Sequence, residues 1–168
     1  ATQEANTLAT CSPLTINVNA TGAINLPAGQ LTISHPNLSI VGPGASALTL
    51  RNTQAPSTTS RVLVVLSGAT ANISGLTFTG GQPNGDGLGC FGQTCGGGIF
   101  NAGSLTLTEC VITGNSPSGI TSLGGGIFTR GSLTLVNSTV SNNSISVGGS
   151  QNIGGGIAVI DGTVNLLQ

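Results

Sequence analysis

Short runs in which aliphatic residues alternate with Thr, Ser or Asn recur along the chain, and no 3.6-residue helical period competes with them. In Ser104-Leu105-Thr106-Leu107-Thr108 the alternation puts both leucines on one face and the threonines on the other, the mark of a strand with one buried side. Longer segments around this phrase superpose almost letter for letter. Gly96 to Ser116 reads GGGIFNAGSLTLTECVITGNS, and Gly124 to Ser144, at a spacing of 28 residues, reads GGGIFTRGSLTLVNSTVSNNS. A third copy opens at Gly154 as GGGIAVIDGTVNLLQ, and Ala71 to Thr79 is a diverged copy of Leu105 to Thr113. Further upstream, INLPAGQLTI and LSIVGPGASALTL keep the same short-strand rhythm without the triple Gly.

A repeat of this length that holds several short strands and no helix is one coil of a solenoid. The chain is therefore expected to be all-β, a right-handed parallel β-helix of about six coils and about 30 Å in length, with a loop insertion near residues 82–95. Residues 1–23 read as an N-terminal arm and cap strand, and 24–168 as the β-helix. Stacked coils align like residues. The expected interior columns are Ile99/Ile127/Ile157, Leu105/Leu133/Val164, Leu107/Leu135/Leu166 and Phe78/Ile112/Val140. Phe100/Phe128 form a further column, and Asn115/Asn143 an amide ladder at a corner. The triple glycines, each directly before an Ile, point to a corner that needs positive φ and close stacking. They are not a phosphate cradle, since no GxGxxG or Walker spacing opens a helix and the chain has no Lys.

These residues resemble the repeats of polymorphic outer-membrane proteins and related bacterial β-helix surface proteins. The GG-[small]-I element of that family is matched by Gly97-Gly98-Ile99, Gly125-Gly126-Ile127 and Gly155-Gly156-Ile157. Its FxxN element is matched by Ile112-Thr113-Gly114-Asn115 and Val140-Ser141-Asn142-Asn143, while Phe78-Thr79-Gly80-Gly81 keeps the Phe and lacks the Asn. The resemblance covers roughly residues 24–168 and implies a parallel β-helix acting at or outside the cell surface.

Composition narrows the function. Charged residues make up 4% of the chain: Arg51, Arg61, Arg130, Glu4, Glu109, Asp86 and Asp161. There is no basic footprint for nucleic acid, and repulsion between copies is weak. No apolar run approaches the ~20 residues of a membrane helix. Polysaccharide enzymes on β-helices cluster acids with a basic residue, whereas here the acids are scattered along the chain and His35 stands apart from Asp, Glu and Cys. No enzyme activity, metal or cofactor is expected. Hydroxyl pairs such as Thr77/Thr79 and Thr106/Thr108 raise the thought of an ice-binding face, but Val136 interrupts the row in the next coil.

Four cysteines fit an oxidising compartment, and the absence of Met suits a mature form from which a signal peptide has been removed. Cys90 and Cys95 are expected to clip the insertion as a disulfide; Cys11 and Cys110 form a second candidate pair, within one chain or between neighbours. Two alternating strands remain for assembly: Leu14, Ile16 and Val18 near one end, and Val164, Leu166 and Leu167 near the other. Head-to-tail contact between such ends propagates into a filament. The leading expectation is an extracellular structural subunit that self-assembles end to end with copies of itself. The alternative is a cell-surface adhesin or glycan-binding β-helix passenger.

Overall fold

The computed structural model describes residues 13–57, 60–85, 90, 92–145 and 152–168. The first turn is laid down by β1 (Leu14–Asn17), β2 (Gly22–Leu26) and β3 (Leu31–Ile33), and the second by β4 (Leu38–Val41), β5 (Leu48–Asn52) and β6 (Leu63–Val65). The third comprises β7 (Thr70–Ser74), β8 (Thr77–Thr79), the short β9 (Thr94–Cys95) and β10 (Ile99–Asn101). The fourth comprises β11 (Ser104–Thr108), β12 (Val111–Thr113), the short β13 (Ser122–Leu123) and β14 (Ile127–Thr129). The fifth is β15 (Ser132–Val136), β16 (Thr139–Ser141) and β17 (Ile157–Val159), after which β18 (Thr163–Leu167) stacks on β15.

All pairings among the described residues are parallel and in register, and they form three long sheets. Sheet A runs β1-β4-β7-β11-β15-β18, sheet B runs β2-β5-β8-β12-β16, and sheet C runs β3-β6-β10-β14-β17. The result is a β-solenoid. Its first and last described strands lie in the same sheet, so the six strands of sheet A enclose about five turns rather than the six expected from the repeats. At ~4.8 Å per rung, five turns give a rod of about 24 Å.

Alternation drives the packing. Leu105 pairs with Leu133 and Leu133 with Val164, Leu107 with Leu135 and Leu135 with Leu166, Ile99 with Ile127 and Ile127 with Ile157, and Ile112 with both Phe78 and Val140. These are the columns expected from the repeats. Leu105, Leu107, Leu133, Leu135, Ile99, Ile112 and Ile127 are buried, each worth about 1.5–3 kcal/mol relative to an exposed position. A one-residue slip in any strand would turn its whole aliphatic set outward, so the pattern also fixes the register.

Corners complete the coil. Gly96, Gly124 and Gly154 have φ of 65°, 70° and 68°, and a Cβ on any of them would collide with the carbonyl oxygen three residues on. This explains why the first glycine of each triplet recurs. The amide ladder is also present: Asn115 Nδ2 donates to Asn143 Oδ1 (2.9 Å), and Asn143 Nδ2 donates to the Ile112 carbonyl (2.9 Å). One rung earlier, where Gly81 replaces the Asn, its own N–H donates to Asn115 Oδ1 (2.9 Å).

Candidate functional site

Among the described residues three regions stand out: the two ends of the lumen and the outer side of sheet C. At one end, Leu14 and Ile16 sit half-buried in the lumen columns of β1, with Leu14 over Leu38 and Ile16 over Ile40. Val18, just beyond β1, donates its N–H to the Val41 carbonyl (2.8 Å) and packs half-buried against the core. Ile16 and Val18, with Ile24, Leu26 and Leu31, line an apolar cavity of about 250 Å³. At the other end, Val164 is half-buried over Leu133, whereas Leu166 occupies the lumen column of Leu135 yet is 69% exposed. Val159 is likewise 44% exposed although its partner in the column, Thr129, is buried. Leu167 pairs with Val136 and so lies on the outer face of the sheet. A second cavity, of about 720 Å³, opens beside β18 between Leu135, Ser138, Thr139, Leu166 and Gln168.

The outer side of sheet C is covered. In the third and fourth turns the connections from sheet B to sheet C are long, and Cys90, Cys95 and Leu123 from them pack over this face. With them Val64, Phe100, Phe128 and Ala158 form a second hydrophobic cluster, with the Phe rings stacked at 5.5 Å and 22°. Cys90 and Cys95 are disulfide-bonded and buried in it. The expected clip is therefore made, although Thr94–Cys95 is not free loop: it pairs with Ser122–Leu123 of the next turn. Arg61 is fully buried here, its Nε donating to the Cys95 carbonyl (2.7 Å), and Arg130 lies 5.4 Å from the Phe100 ring centre. The sequence marked the Phe column but gave no sign of a buried guanidinium.

The remaining candidates are dispersed. Cys110 is a free thiol in the lumen core, within reach of the carbonyl oxygens of Thr108 (3.3 Å) and Ile73 (3.6 Å). Cys11, its candidate partner within one chain or between neighbours, lies outside the described residues. Burial pushes the Cys110 thiol pKa up. His35 is buried in the turn between β3 and β4, where Nδ1 accepts the Asn37 N–H (3.0 Å). Glu109 and Asp161 are exposed corner residues with φ of 52° and 56°, and Asp86 and Glu4 lie outside the described residues. Among the described residues no group of three His, Cys, Asp or Glu side chains is placed to hold a metal. A second buried ladder went unread in the sequence: Asn101 Nδ2 donates to Thr129 Oγ1 (3.0 Å) and to the Ser132 carbonyl (2.9 Å). Its only signal was the aligned Asn/Thr after each GGGIF. The chain matches no known family, no curated protein and no solved structure.

Proposed function

We propose that this chain is an extracellular structural protein whose solenoids self-assemble end to end into a filament. The observation that carries this reading is the exposure of lumen residues at both ends: Leu166 and Val159 at one, Ile24 beside the apolar cavity at the other. Burying such columns against those of a second copy is favourable at about 25 cal/mol per Å² of apolar surface. Repulsion is small, with a net charge of −1 and seven charged residues in the chain. The Cys90–Cys95 disulfide favours an oxidising compartment, in keeping with the resemblance to surface-protein repeats. Sedimentation velocity across a concentration series, with electron microscopy of the same samples, tests the reading. Species that lengthen with concentration are expected; a monomer that persists on concentration overturns it.

A second reading, an adhesin or glycan-binding passenger, is favoured by one observation. Cys90 and Cys95 clip the third-turn connection against the outer side of sheet C, and loops held on rigid scaffolds commonly carry recognition. Glycan-array binding by the monomer, lost on deleting that connection, would favour it over the filament.

A further inference from the structure

Among the described strands β3 ends sheet C, with β6 on one side of it. Leu31 donates its N–H to the Val62 carbonyl (3.0 Å), and the Ile33 carbonyl accepts from the Leu66 N–H (2.9 Å). Main-chain groups of successive residues in a strand point to opposite sides, so those of Thr32 and Ser34 face away from β6. Neither Thr32 nor Ser34 is without a partner, although no described strand lies on that side. At the same edge Leu31 and Ile33 head two lumen columns, which run on through Ile99 and Asn101 to Ile157 and Val159. Leu31 also lines the apolar cavity.

The sequence leading into β1 has the form that this edge needs. In the third and fourth turns the sheet C column precedes the sheet A column by six residues, Ile99 before Leu105 and Ile127 before Leu133. Leu14 stands in the same sheet A column, and six residues before it stands Leu8. Leu8-Ala9-Thr10 then matches Ile127-Phe128-Thr129 as an aliphatic residue, an apolar one and a Thr. Residues 8–10 lie outside the described residues, so their place is argued from this spacing and from the β3 edge. We propose that residues 8–10 run parallel to β3 as a further strand of sheet C, Leu8 over Leu31 and Thr10 over Ile33, closing the apolar end of their own lumen. In that register the Thr32 N–H reaches the Leu8 carbonyl, the Thr10 N–H the Thr32 carbonyl, and the Ser34 N–H the Thr10 carbonyl. Both outward-facing residues of β3 are thereby satisfied. A detached apolar molecule would fill the cavity without pairing these main-chain groups. The Ala9 N–H faces the far edge, which on the end-to-end reading, and on that reading alone, is where β17 of another copy would pair.

Residue-resolved hydrogen exchange on the intact chain tests the strand, first at a concentration where sedimentation shows a monomer and then after concentration. The Thr10 amide is expected to exchange about a hundredfold or more slowly than in an unfolded chain at both concentrations, with the Ala9 amide fast in the monomer. Leu8→Asp, which sets a carboxylate in the apolar end of the lumen, is expected to abolish the protection of Thr10. Ala9→Ser is the control and is expected to keep it, with β11 protected in both variants. Thr10 exchanging as in an unfolded chain while β11 is protected overturns the proposal. So does protection that survives Leu8→Asp, or that arises only on concentration, which would place the segment on a second copy. The end-to-end reading fails separately: Thr10 protected and Ala9 fast at both concentrations upholds the strand and removes β17 as its partner.

Discussion

At the scale of single residues, the corners are where chain chemistry and coil geometry conflict. Gly75, Glu109 and Asn137 stack in the corner after sheet A, with φ of 64°, 52° and 47°. Only Glu lacks a reason to be there: Gly has no Cβ to clash, and Asn tolerates the left-handed region. Glu109 is exposed. Glu109→Gly is thus expected to stabilise the fold by up to about 1 kcal/mol, the relief of left-handed strain less the extra entropy of Gly. A lower denaturation midpoint for this variant would show that the corner is not strained. Asn115 presents the opposite case. Its amide donates to the Phe78 and Thr113 carbonyls and to Asn143, and accepts from Gly81. Asn115→Ala would strand several of these buried groups, a loss of about 2–3 kcal/mol by denaturant titration.

Cys110 adds a pH dependence with a defined sign. Its thiol is raised above the ordinary value of 9.0, chiefly by desolvation in the lumen. The unfolded chain therefore releases this proton at lower pH than the folded one. The stability the neutral thiol contributes is complete below about pH 9 and is lost as pH climbs through the folded value. Stability measured at neutral and at strongly alkaline pH is expected to fall more steeply for the wild type than for Cys110→Ala. Equal slopes would mean that the thiol ionises as readily inside as outside.

Among the elements, the strands were legible in the sequence and the connections were not. A period-2 pattern leaves few choices once a register is imposed, so SLTLT and its copies fixed sheet A and its lumen columns. The sequence does not show that the third sheet needs a cover. That cover arises because Cys90, Cys95 and Leu123, from the connections between sheet B and sheet C, pack with Phe100 and Phe128, a tertiary outcome that no local pattern encodes. Nor did the 28-residue period persist: Ile127 and Ile157 are 30 residues apart and Ser132 and Thr163 are 31 apart, the extra residue being accommodated in the turn where Asp161 takes a φ of 56°. The disulfide acts at this scale. Bridging Cys90 to Cys95 closes a short loop, for which chain entropy allows about 2 kcal/mol. Cys90→Ser with Cys95→Ser is expected to lower stability by about that amount and to speed proteolysis between residues 80 and 98, leaving sheet A protected from hydrogen exchange. Loss of protection throughout would place the clip in the cooperative core.

For the molecule as a whole, a solenoid is close to one-dimensional: each rung contacts mainly the rungs on either side, and stability accumulates along the stack. The described structure follows this pattern, with β7, β11 and β15 each paired on both sides while β18 pairs only with β15. The side chains grade in the same way, from Leu105 and Leu133 fully buried to Leu166 exposed. Hydrogen exchange is therefore expected to be slowest in the middle of sheet A and fastest at β18, spanning from near the global unfolding free energy to almost none. The same gradient gives the end-to-end proposal a residue-level readout. In a monomer the β18 amides that point away from β15 face solvent, and their exchange should not depend on protein concentration. In a filament those amides would pair with another copy, so protection in Thr163–Leu167 should rise with concentration while that of β11 stays level. Leu166→Glu, which places a charge in an exposed lumen position, should remove that dependence without altering the middle rungs, because only the junction would have to desolvate the carboxylate. Protection at β18 that is unchanged by concentration in the wild type would rule out a junction there.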